Sequence, residues 1–164
     1  MIKIAHRGNY QGRNVDLENN PAYLSAALAA GYNIEVDAWR HEGRWYLGHD
    51  KPMHLISIDF LCHPHVWTHA KNFESYLLLY PIKDVHTFWH NKDDFVFTSK
   101  GIKWANTGID THDGIMVMPD ADPELCWRIR NKKIVPLGVC SDDFRIFESN
   151  YPDNLEYTHT VPNL

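Results

Sequence analysis

Apolar and polar positions alternate from Ile2 to His6 and the run stops at Arg7-Gly8, which predicts a strand ending in a turn. After a polar loop, Asn20 and Pro21 have the chemistry of a helix N-cap and a first helical residue. Residues 22–30 are rich in Ala and Leu, and Gly31 is a natural stop. Strand character returns over 32–39. A strand, helix and strand this close together imply parallel strands joined by a right-handed crossover. His41-Glu42-Gly43-Arg44 reads as a turn, and 45–47 as a short strand ending at Gly48-His49-Asp50.

Further strands are predicted over 66–71, 85–89, 95–98, 115–118 and 134–140. A short helix is expected over 73–80, and another from Pro123 to about residue 132, capped by Asp122. The tail from Tyr151 reads as polar and irregular. Six to eight strands with three helices suggest an α/β fold made mostly of bare strands. An eight-fold barrel usually takes ~250 residues and ~200 at the low end. A chain of 164 residues would therefore form a reduced, TIM-barrel-like (β/α)8 domain with several outer helices missing. An open α/β sheet is the other arrangement that fits.

Composition narrows the function classes. The chain is long enough for one domain, 1–164, and its 44% apolar and 23% charged residues are an ordinary globular balance. No apolar run approaches the ~18–20 residues of a membrane helix. The net charge is −5 and no basic stripe stands out, which argues against a nucleic-acid partner. The amino terminus reads directly as a strand without a signal-peptide pattern, so the cytoplasm is the expected compartment. Cys62, Cys126 and Cys140 are widely spaced, match no zinc or redox motif, and are expected as small core residues. Eleven histidines are the unusual number.

Four short features fall at the carboxyl ends of predicted strands, where parallel α/β folds place their sites. His6-Arg7-Gly8 couples an imidazole that can move a proton to a guanidinium that can grip phosphate. Glu35 and Asp37 share one face of a strand and suit a hard divalent cation. His49 brings a second imidazole with Asp50 beside it. His69 and Lys71 share a face by the same period of two. His86 and His90 also share a face, which suits either a second metal site or polar lining of the barrel. Trp89 and Trp104 suit either an apolar wall for a substrate or plain core packing.

The order His6-Arg7-Gly8, Glu18-Asn19-Asn20, Glu35-Val36-Asp37 and His49-Asp50 resembles the glycerophosphodiester phosphodiesterase family. The resemblance covers about residues 3–50, with a weaker echo at Gly138-Val139-Cys140-Ser141-Asp142. It implies a (β/α)8 barrel and a lipid-metabolism hydrolase that releases glycerol 3-phosphate and an alcohol with a divalent metal. By position, it makes His6 and His49 the general acid/base pair, Glu35 and Asp37 metal ligands, and Arg7 a phosphate contact, with Lys71 also facing substrate. The family's third strand usually carries Glu-x-Lys with that Glu as a third ligand, and here the matching residues are His69-Ala70-Lys71. The resemblance implies Mg²⁺ or Ca²⁺; an imidazole at His69 would weaken those ions and favour Mn²⁺ or Zn²⁺.

Two other readings share these residues: a phospholipase D-like enzyme acting on lysophospholipids, and a non-catalytic module binding a sugar phosphate or glycerophosphate. A barrel stripped of helices exposes apolar strand faces that a second copy would cover, so a homodimer is expected.

Overall fold

The computed structural model describes residues 1–148. The predicted irregular tail from Tyr151 lies outside them. The elements are β1 (Ile2–His6), α1 (Pro21–Ala29), β2 (Asn33–His41), β3 (Arg44–Leu47), β4 (His54–Ile56), α2 (Ile58–Leu61), β5 (Val66–Ala70), α3 (Phe73–Leu79), β6 (His86–Phe88), β7 (Phe95–Phe97), β8 (Lys103–Ala105), β9 (Gly114–Val117), α4 (Pro123–Arg130) and β10 (Gly138–Ser141). All ten strands belong to one curled sheet. Seven run parallel in the spatial order β8, β9, β10, β1, β2, β5, β6, and β7 is antiparallel beside β8. Just beyond β7, the Ser99 N–H donates to the Thr87 carbonyl of β6 at 2.7 Å, which ties the two ends of the curl together.

Local chemistry explains most of the boundaries. Asn20 caps α1 by accepting from the Ala22 N–H at 2.9 Å, and Gly31 just past its end has a positive φ of 89°. Asn72 and Ser75 form a capping box at the start of α3. Asp122 accepts from the N–H groups of Glu124 and Leu125 to start α4, while Arg128 and Arg130 complement the dipole at its end. Caps of this kind each contribute about 1 kcal/mol.

Two expectations change. The predicted strand over 134–140 begins only at Gly138. Pro136 has no N–H to donate to a ladder, and Ile134 is buried among Leu125, Ile129 and Met116 instead. Two three-residue strands, β4 and β8, add to the predicted set, because three positions are too few for a period of two to stand out in the sequence.

Strand alternation divides the core into layers. On the convex side, Ile34, Val36, Val66 and Ala5 pack with Leu24, Ala27, Leu61 and Leu79 of the helices. Around α4, Met116 and Val139 pack with Leu125, Ile129 and Phe144. The concave side is filled by Ile4, Trp67, Phe88, Trp104, Ile115 and Cys140. This apolar plug leaves the polar residues of the same face at the carboxyl ends of the strands. Cys126 and Cys140 are buried as expected, and Cys62 is half-buried.

Candidate functional site

Register brings the predicted residues together. In the parallel ladder His6 is opposite Glu35, and Asp37 is opposite His69. β2 is long enough to do two jobs: 34–38 pair with β5, and 38–41 turn back against β3. The Gly48 N–H donates to the Asp37 carbonyl at 3.1 Å, which pins the loop carrying His49 to the strand carrying Asp37. A cleft of about 370 Å³ results. His6, Arg7, Glu35, His49, His69 and Lys71 all line it, so six of the seven predicted site residues face one space.

The seventh, Asp37, is fully buried. Its Oδ2 accepts from Asn19 Nδ2 at 2.9 Å, and Arg7 Nε lies 3.0 Å from the same oxygen, a charge contact rather than an aligned hydrogen bond. Its Oδ1 accepts from His69 Nδ1 at 3.1 Å and lies 3.2 Å from Lys71 Nζ. Burial alone would raise its pKa. The His69 hydrogen bond and the charges of Arg7 and Lys71 outweigh burial and hold it far below the usual carboxylate range. Glu35 is pushed the other way, by burial and by the neighbouring charge of Asp37.

The two imidazoles expected to act as acid and base each have a carboxylate on Nδ1. His6 Nδ1 donates to Asp142 Oδ1 at 2.9 Å, and His49 Nδ1 to Asp50 Oδ1 at 2.6 Å. With Nδ1 committed, Nε2 is the nitrogen left for a substrate proton. Burial opposes protonation of His6, but the bond to Asp142 and the charge of Glu35 prevail over burial and Arg7, and its pKa rises. His49 is lowered, first by burial and then by the charge of Arg7.

A polar lattice holds this arrangement. Glu18 accepts from Arg7 Nη1 at 2.8 Å and from Arg13 Nε at 3.0 Å. Asn9 Nδ2 donates to Asp142 Oδ1 at 2.9 Å, and Tyr23 donates to Asn9 Oδ1 at 3.1 Å. The far wall of the cleft is aromatic. His69 stacks on Phe88 and on His90, with interplanar angles of 1° and 7°, and Trp104 completes the wall. Trp89 instead lies on the outer rim against Phe73 and Tyr76. His86 bonds to Thr98 Oγ1 at 2.7 Å beneath the cleft, and its pKa is pushed down to about 4 by burial and by Lys100.

The sequence reading missed the roles of Asp142, Asn19 and Glu18. All three belong to segments that carry the family resemblance, Glu18-Asn19-Asn20 and Gly138-Val139-Cys140-Ser141-Asp142, which assigns them no task. For Asp142 the available signal was its place just after the last described strand.

Glu35, Asp37 and His69 offer ligand atoms within 4.8 Å of one another, the one such cluster among the described residues. They nevertheless fit a divalent ion poorly. Both Asp37 oxygens already have cationic or N–H partners, and the His69 Nδ1–H bond to Asp37 leaves only Nε2 of that ring to meet an ion. No helix among the described residues is long and apolar enough to cross a membrane. The fold and site together define a mixed α/β protein with a histidine-lined, cation-bearing cleft at the carboxyl ends of its strands. No family model, curated protein or solved structure matches the chain.

Proposed function

We propose that the curled sheet is a reduced (β/α)8 barrel and that the cleft cleaves phosphodiesters of the glycerophosphodiester type. The observation that carries this reading is the pair of histidine–carboxylate dyads lining one cleft with Arg7 and Lys71. Proton donors and acceptors beside two fixed cations suit a reaction in which a phosphodiester gains and loses oxygen substituents.

The chemistry proceeds in two steps. A hydroxyl next to the phosphate attacks phosphorus, forming a cyclic phosphate as the bond to the alcohol breaks. His49, whose pKa is lowered, is the better placed of the two to take the hydroxyl proton; His6, whose pKa is raised, is the better placed to give one to the departing alkoxide. Water then opens the ring with the two imidazoles in exchanged roles. An attached nucleophile contributes up to about 7–11 kcal/mol through effective molarity. Each acid or base contributes about 10²–10⁴-fold. Arg7 and Lys71 meet the negative charge on the phosphoryl oxygens.

The test is product release from a panel of glycerophosphodiesters, lysophospholipids and diesters without a neighbouring hydroxyl. Release of glycerol 3-phosphate or its cyclic form only from substrates bearing that hydroxyl is expected. Equal rates with and without it would remove the ring-closing step. Binding without turnover would make the chain a glycerophosphate-binding module.

A further inference from the structure

We propose that Arg7 and Lys71, both anchored on the buried Asp37 carboxylate, hold the substrate phosphate directly, and that the cleft takes a singly charged phosphodiester without a divalent cation. This inference rests on the proposed function and specifies how its site meets the phosphate charge.

Asp37 is where a hard cation would need an open oxygen, and it has none to give. Asn19 and Arg7 occupy the Oδ2 side; His69 and Lys71 occupy the Oδ1 side. Asp37 is fully buried, whereas Arg7, His69 and Lys71 all face the cleft. The carboxylate therefore serves as a counter-ion beneath a cationic floor. A dication placed among Glu35, Asp37 and His69 would have to displace two fixed cations from their shared carboxylate and then remain close to both.

His69 reinforces the argument. Its ring lies parallel to Phe88 and His90, with centroids 5.3 and 4.6 Å away. That packing holds the ring in the orientation that directs Nδ1 at Asp37. A carboxylate at this position would have repelled Asp37 and called for a metal between them; the imidazole satisfies Asp37 by donating a proton.

The experiment measures binding of glycerophosphocholine to the full chain by calorimetry, in chelator and then with Mg²⁺, Ca²⁺, Mn²⁺ or Zn²⁺. His63 and His65 lie outside the cleft with rings 5.6 Å apart, and imidazole is a common metal ligand. The readout is accordingly the effect of each ion on ligand affinity, not ion uptake. Affinity in chelator within about twofold of that with any ion is expected. Lys71→Gln should weaken binding about tenfold in chelator, and Lys71→Arg should restore it. Binding that requires an ion, or no binding under any condition, would overturn the proposal, as would unchanged affinity in folded Lys71→Gln. Turnover is followed separately. Ion-dependent turnover would overturn this proposal and leave the phosphodiesterase standing; metal-free binding without turnover would do the reverse.

Discussion

His6 Nδ1 and Asp142 Oδ1 meet at 2.9 Å, one residue beyond the ladder pair Ala5–Ser141 that joins the first strand to the last described strand. The contact spans 136 positions in the chain and gives His6 its raised pKa against the effect of burial. Asp142→Asn removes the charge that favours the imidazolium. The His6 pKa, followed by NMR titration, should fall, and the rate of phosphodiester cleavage should drop about 10²–10⁴-fold. An unmoved His6 titration would show that Asp142 does not set its protonation.

His49 stands apart from the packed core, with 43% of its side chain exposed. Its replacement should therefore separate chemistry from stability. His49→Ala is expected to lose about 10²–10⁴-fold in kcat while the melting temperature stays unchanged. A matching loss of stability would mean that the loop, not the imidazole, was the casualty.

Gly48 positions that imidazole. Its φ is +148°, and a Cβ there would come 2.2 Å from the Lys51 carbonyl oxygen, which is backbone and cannot swing away. Its own carbonyl accepts from Trp39 Nε1 at 2.6 Å. Gly48→Ala should move the loop, lowering activity about as much as loss of His49 and stability by about 1–3 kcal/mol. Parallel kinetics and thermal melts would show both effects, and wild-type kinetics would refute the positioning role.

Asp120 gives a pH signature. It sits in a short 3₁₀ turn after β9, where its Oδ2 accepts the Asp142 N–H at 3.3 Å. Burial, then the charge of Asp142, raises its pKa to about 6. A carboxyl raised on folding contributes stability below its unfolded pKa and loses that contribution as pH rises through the folded value. The window is from about 4 to about 6, and the shift corresponds to roughly 3 kcal/mol at most. Asp120→Asn should match the wild type near pH 4 and be more stable at pH 7. Denaturant melts at the two pH values would reveal the difference, and a constant gap between the proteins would contradict it.

What the sequence made legible was local. Asn20-Pro21 and Asp122-Pro123 announce helix starts through side chains that reach only two or three residues. The period of two put Glu35 with Asp37, and His69 with Lys71, on single faces. The ring of partners around Asp37 was not legible. Asn19, His69 and Lys71 reach it through a loop and a neighbouring strand whose register only folding supplies. Nor could the apolar run over 134–140 show that Ile134 packs beside α4 while pairing starts at Gly138. Hydrophobicity reports burial, and burial is shared by strands and by the segments that lead into them.

The pairing of β1 with β10 also sets a time order on the assembly of the cleft. Every cleft-lining residue up to Met118 precedes the partner that orients His6, so a chain emerging from the ribosome carries the imidazole long before it carries Asp142. Closing so long a loop costs entropy that only the finished ladder offsets. His6 thus lacks its carboxylate partner until the last described strand docks, and a truncation anywhere between the two would leave the imidazole without it.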